Sequence, residues 1–159
     1  MNTIGDDLKF LKNVDRARAY KSSAQTVANT SWEAVALQSE DYDTNGLHST
    51  STNTSRLTSQ TDGWYLVTGQ VQWDQDGNGY RRLSIRKNDT SSDATSGTQW
   101  ARQDIQPNGS DNTFVQIFSV VYLAVSDHVR MFAYQNSGGG LNINTGSGST
   151  WFAMTWLGD

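Results

Sequence analysis

Eleven residues, "GWYLVTGQVQW" at Gly63–Trp73, most constrain the fold: they alternate without a break. One face carries Tyr65, Val67, Gly69, Val71 and Trp73, the other Trp64, Leu66, Thr68, Gln70 and Gln72. A period of two is the repeat of a β-strand, whose successive side chains point to opposite sides of the sheet. Further short segments follow the same rule. "YRRLSIRKN" sets Tyr80, Arg82, Ser84 and Arg86 against Arg81, Leu83, Ile85 and Lys87. "ARAYKS", "WEAVAL", "RLTSQ", "TQWARQDI", "NTFVQIFSVVYLAV", "HVRMFAYQN", "LNIN" and "STWFAMTWL" bring the total to ten, with Gly, Asn, Asp and Ser crowding the gaps. Many short strands at close spacing predict an all-β sandwich or jelly roll.

The segment at 112–125 breaks the sandwich rule in one respect. Val115, Ile117, Val121 and Leu123 form one apolar face, and Phe114, Phe118, Val120 and Tyr122 form another. A strand in a two-layer sandwich has only one face toward its own core. The second face must meet something else, and Trp64 and Leu66 raise the same demand on the neighbouring segment. Contact with further copies of the chain is the simplest answer; a long loop of the same chain is the other.

The turn "DQDGNG" after Trp73 mimics the first half of a calcium loop, with Asp74, Asp76, Asn78 and Gly79 in place. An EF-hand closes its oxygen shell with Glu at position twelve, and here that position is Ile85. "DYDTNG" at 41–46 fails in the same way, with Thr52 at its twelfth position. Asp76-Gly77 and Asn78-Gly79 are hairpin dipeptides, so the expectation is a hairpin joining the strands on either side. Asp74 and Asp76 would be the ligands of any loop cation, but the sequence supplies no metal site.

Chemistry is equally sparse. There is no cysteine, and His48 and His128 each read as a lone surface group. Glu33 and Glu40 are the only glutamates, and most aspartates sit in turns. Neither a nucleophile elbow nor a phosphate loop is present. The expectation is a protein without enzymatic activity or cofactor. A net charge of −4 with scattered Arg and Lys argues against nucleic acid, and no apolar run is long enough for a transmembrane helix. The opening "MNTIGDDLKFLKNV" lacks the apolar stretch of a secretory leader. Its Leu8, Phe10, Leu11 and Val14 suit one short amphipathic segment. We read residues 1–16 as a docking or neck segment and 17–159 as the domain.

Several of these stretches resemble the C1q-like domains, jelly-roll trimers related to tumour necrosis factor. "GWYLVTGQVQW" is similar to their G-x-Y-x-V/F-x-G strand. "VVYLAVSDHVRMFAYQNSGG" is similar to their L-x-L-x-x-G-D-x-V segment with its aromatic strand and Gly-rich loop, and "STWFAMTWLG" to their closing strand. Ser126 departs from the usual Gly before Asp127, and Ala153 and Thr155 from the usual last strand. "EDYDTNGLHSTSTNTSRLT" ahead of "GWYLVTGQV" resembles the C1q-like domains found among bacteriophage structural proteins. The resemblance implies ten strands in two five-stranded sheets and a homotrimer with Trp64, Leu66, Phe118, Val120 and Tyr122 at the contact. It also implies a particle assembled in the host cytoplasm, with the domain on the virion surface and the N-terminal segment docked to other virion proteins. The role expected is a tail-tip or short-fibre adhesin that binds a host glycan or protein through Tyr80, Arg81, Trp100 and Arg102. A capsid decoration protein and a bacterial C1q-like ligand-binding module are the alternatives.

Overall fold

The computed structural model describes residues 14–159, which form twelve strands and, among these residues, no helix. They are β1 (Arg16–Tyr20), β2 (Gln25–Val27), β3 (Ser31–Ala34), β4 (Ser39–Asp43), β5 (Arg56–Thr58), β6 (Gly63–Trp73), β7 (Arg81–Lys87), β8 (Thr98–Ile105), β9 (Thr113–Leu123), β10 (His128–Gln135), β11 (Leu141–Ile143) and β12 (Trp151–Gly158). Leu8, Phe10 and Leu11 lie outside the described residues.

The strands make two antiparallel sheets. In the larger one, β6 is flanked by β9 on one side and by β12 and β11 on the other, and β1, β4 and β2 extend it. The smaller sheet runs β5-β10-β7-β8. Strand β3 lies along the second half of β10, where Val35 N donates to Met131 O (2.9 Å) and Thr30 N to Gln135 O (2.8 Å). The result is a seven-plus-four arrangement with a flanking strand, where ten strands in two equal sheets were expected. The two unforeseen strands, β2 and β4, are short and polar ("QTV", "SEDYD"), and β4 is a largely exposed edge. No run of alternating apolar residues marks them: β2 offers the core only Val27, and each is held by its neighbour's backbone.

The core is built from the alternation. Tyr65, Val67, Val71 and Trp73 of β6 meet Leu83 and Ile85 of β7, Val115, Ile117, Val121 and Leu123 of β9, and Val129 and Met131 of β10, all buried. Gly69 belongs to this face because a Cβ there would stand 2.6 Å from Met131 Sδ and 2.9 Å from Phe152 Cδ2. An alanine would have to displace both side chains.

The turn at 74–80 is not a hairpin. Strand β6 belongs to one sheet and β7 to the other, so the segment crosses between layers. A buried Arg81 makes the crossing possible. Its Nη1 donates to Asn78 O (2.8 Å) and Tyr80 O (3.3 Å) and its Nη2 to Asp76 O (2.7 Å), tying three carbonyls of the turn to the strand that follows. The aspartates of both calcium look-alikes are committed to protein partners, Asp41 to Arg18 and the other three to amide groups. Asp76 Oδ1 accepts from Asn78 N (2.8 Å), Asp74 Oδ2 from Asn142 Nδ2 (3.0 Å), and Asp43 from the backbone of Asn45, Leu47 and His48. The backbone bonds to Asp76 and Asp43 are local ones of the Asx kind, the ordinary reason for Asp in turns.

Both chain ends of the sandwich lie at one pole. Asp15 accepts side-chain bonds from Asn45 Nδ2 (2.9 Å) and Thr61 Oγ1 (2.8 Å), and its carbonyl accepts from Trp156 N (2.9 Å). Val14 is half-buried there, and its carbonyl accepts from Thr44 Oγ1 (2.9 Å). The opposite pole carries the loops 74–80 and 106–112, which touch where Gln75 Nε2 donates to Gly109 O (2.9 Å).

Just after β1, Lys21 is fully buried, with Nζ donating to Gln25 Oε1 (2.9 Å) and Ala36 O (3.2 Å). No carboxylate is among these partners, and burial lowers its pKa from 10.5 to about 8. The unfolded chain therefore holds a proton that the folded chain has released between these values, and stability rises with pH across that window. Tyr65, pushed up to about 12 by burial, opposes this above pH 10, so the rise is read between pH 8 and 10. Lys21→Met is expected to raise unfolding free energy at pH 7 by about 1–3 kcal/mol, by the desolvation a buried charge must bear. It should also flatten the pH 8–10 rise in the urea midpoint. An unchanged rise would show that Lys21 is not its source.

Candidate functional site

The outward face of the β6/β9 pair is apolar. In register across the two strands stand Trp64 with Tyr122, Leu66 with Val120, Thr68 with Phe118, Gln70 with Gln116, and Gln72 with Phe114. Phe118 is 76% exposed, Phe114 50%, Val120 46%, Trp64 43%, Tyr122 40% and Leu66 37%. The five positions expected at a subunit contact therefore share one face. Phe114, already visible in the strand's second apolar face, extends it. Trp64 and Tyr122 pack edge to face at 5.5 Å. Leu66, Thr68, Gln116, Phe118 and Trp151 enclose a shallow hollow of about 360 Å³. Among the described residues no loop covers this face.

A polar row crosses the patch. Gln116 Nε2 donates to Gln70 Oε1 (2.8 Å), and Gln70 Nε2 donates to the carbonyls of Gly148 and Ser149 (2.9 and 3.0 Å). At its β1 margin, Arg18 stacks on Trp151 at 4.6 Å and pairs with Asp41. The face thus has an apolar field, a satisfied amide row and a charged rim, the anatomy of a protein–protein contact.

The outer face of the smaller sheet is different. Tyr134, Arg82 and Asp104 are in register across β10, β7 and β8. Arg102 donates to Asp104 through Nε and Nη2, both at 2.8 Å. Arg82 Nε stands 3.3 Å from the same carboxylate without the alignment of a hydrogen bond. The bonds from Arg102 hold the Asp104 carboxyl below its usual range despite some desolvation, and Asp104 in turn raises Arg102. Around this carboxylate the aromatics gather: Arg82 lies over Tyr134 at 4.8 Å and over Tyr80 at 5.5 Å, Arg102 over Trp32 at 6.0 Å, and Trp32 against Tyr134 at 5.2 Å. Trp100, 40% exposed, lies further along β8.

Of the residues expected to contact a ligand, Tyr80, Trp100 and Arg102 are exposed near this surface and Arg81 is not. Arg81 is buried beneath the turn, because it occupies the face of β7 that carries Leu83 and Ile85. The alternation in "YRRLSI" already placed Arg82 outward. Trp32 and Tyr134 had no such signal, since their meeting depends on β3 folding along β10.

Neither histidine is a lone surface group. The His48 side chain is buried under the 44–55 loop, with Nδ1 2.7 Å from Glu40 Oε1 and Nε2 3.0 Å from Thr54 O. His128 is half-buried, with Nε2 3.1 Å from Asp89 O, and burial lowers its pKa. A second, polar hollow of about 240 Å³ lies beside His48, lined in part by Asn53, Arg56 and Gln60. Among the described residues no group of three or more His, Asp or Glu side chains converges as a metal site would require.

No protein-family model matches the chain, and no curated protein matches it significantly. Solved structures do. Eiger TNF from S. frugiperda superimposes with a TM-score of 0.69 at 9% identity, covering 92% of this chain and 94% of that one. Murine APRIL gives 0.67 at 11%, covering 91% and 99%. The globular domain of zebrafish complement 1qA protein gives 0.60 at 10%, covering 90% and 97%. The fold is a jelly roll of the TNF and C1q kind.

Proposed function

We propose that the chain is a homotrimeric surface protein of a bacteriophage particle, a tail-tip or short-fibre adhesin. Three copies bury the β6/β9 face against one another and turn the arginine–aromatic face of the smaller sheet outward. One observation carries the reading: six large apolar side chains stand exposed on a single continuous sheet face, which a soluble domain covers with a partner. The TNF- and C1q-like fold supports self-association as that partner. The phage assignment rests on the sequence resemblance at 40–71. The N-terminal segment, reaching the sandwich at Asp15, attaches the domain to the particle, and the host ligand is a glycan or protein. Stacked aromatics with partly spent guanidinium donors suit neutral sugar rings that offer both an apolar face and hydroxyls.

Light scattering on purified protein should give about three chain masses of 17.6 kDa. A fluorescent trimer should adsorb to host cells, and Arg82→Ala combined with Trp100→Ala should reduce adsorption at least about tenfold with the mass unchanged. A stable monomer defeats the assembly. Undiminished adsorption moves the receptor surface elsewhere, and binding to assembled heads in place of cells favours the decoration role.

A further inference from the structure

Three polar atoms at the pole farthest from Asp15 are buried without a hydrogen-bond partner: Trp73 Nε1, Arg81 Nε and Thr113 Oγ1. They belong to neighbouring side chains. Trp73 and Thr113 face one another across β6 and β9 and both point to the core, and the Arg81 guanidinium lies over the Trp73 ring at 6.0 Å. Trp73 and Arg81 are fully buried and Thr113 is 5% exposed. A buried donor left unpaired loses its bonds to water and gains none in return, and native proteins rarely leave several together.

The donor inventory narrows what could satisfy them. An indole N–H and a guanidinium Nε–H can only donate, whereas a hydroxyl can donate or accept. A water molecule in their midst has two protons of its own to place, and the three groups offer it one acceptor at most. The guanidinium has one carboxylate in ion-pair range, and no hydrogen bond joins the two. Its Nη atoms are spent on backbone carbonyls, and the Asp76 carboxylate stands 3.8 Å away and partly in solvent. Burial accordingly pulls the Arg81 pKa down. We infer that Trp73, Arg81 and Thr113 form a buried site for one small monovalent anion, of which chloride is the type. All three groups donate to it, and its charge adds to the partial compensation that Asp76 gives the guanidinium.

The site lies beneath the loops 74–80 and 106–112, so its occupant stiffens that pole whether or not the adhesin reading holds. Thermal unfolding in sodium chloride and in sodium gluconate at equal ionic strength tests it. Wild type should gain about 2–4 °C more in 0.5 M chloride than in gluconate. Thr113→Val, nearly isosteric but without the hydroxyl, should lose at least half of that excess, and Trp73→Phe likewise if it folds. Crystals grown with bromide should show an anomalous peak within hydrogen-bond reach of all three groups. No chloride-specific excess in wild type, an excess undiminished in Thr113→Val, or an ordered water in place of bromide would overturn the site.

Discussion

Phe118→Asp should turn a particle of three chains into single folded chains. Phe118 is 76% exposed and projects from the middle of β9, so the isolated domain loses only the strand preference of Phe over Asp, about 1 kcal/mol. In the proposed trimer each copy inserts this ring into its neighbour. A buried aromatic anchor is worth more than about 2 kcal/mol at such a contact, and a carboxylate there must also be desolvated. Three equivalent contacts make roughly 6 kcal/mol, a loss on the order of 10⁴ in association constant. Light scattering should fall from about three chain masses to one, while the far-ultraviolet circular dichroism stays that of a β protein. Gln103→Asp, exposed on the outer sheet, is the control and should leave the mass unchanged. A variant at Phe118 that stays trimeric would mean that the β6/β9 face is covered by something other than a copy of the chain.

Asp89→Ala carries the other large effect, and on a different quantity. The Asp89 carboxylate is buried and fully subscribed. Oδ1 accepts from Ser91 N (2.9 Å), Ser91 Oγ (2.5 Å) and Ser96 Oγ (2.8 Å), and Oδ2 from Arg86 Nε (2.7 Å). Its backbone carbonyl accepts from Arg130 Nη1 (3.1 Å). Removing the carboxylate leaves Arg86 without its counter-charge and unties the 88–97 loop, a loss of about 3–5 kcal/mol from a total of roughly 5–15. The urea midpoint at pH 7 should drop by about a fifth or more. Burial works against the ionised form of Asp89, but the bonds from Ser91, Ser96 and Arg86 outweigh it and hold the pKa below 3.8. A depressed folded-state pKa stabilises above the unfolded value and is lost as pH falls through the folded one. The gap between wild type and Asp89→Asn should therefore be widest near neutrality and narrow below pH 3.8. A gap independent of pH would show that the carboxylate charge is not what ties the loop.

Both sites began as sequence patterns, but they were not equally legible. The two faces of 63–73 and 113–123 could be read directly because a strand's period of two admits one partition, and both strands kept it for eleven residues. Arg81, expected at the ligand surface, is buried, as its phase with Leu83 and Ile85 on β7 dictates. The 74–80 turn carried real hairpin dipeptides, yet local turn chemistry does not say whether the next strand pairs with the last or crosses to the other sheet. Asp89 and Trp32 left no local trace. Asp89 is buried by a loop that closes over it from Ser91 and Ser96, and Trp32 finds Tyr134 a hundred residues away through a backbone contact between β3 and β10.

The shared pole of Asp15 and Trp156 has a consequence for how such a unit travels between genes. The strands that open and close the sandwich run side by side, so chain leading into one and out of the other emerges at a single place. Cutting the domain out, splicing it into a surface loop of an unrelated host, or permuting its order with a short bridge leaves every sheet intact. A domain wired in this way is portable: its carrier can be exchanged while the far pole, with its two touching loops, goes on varying independently.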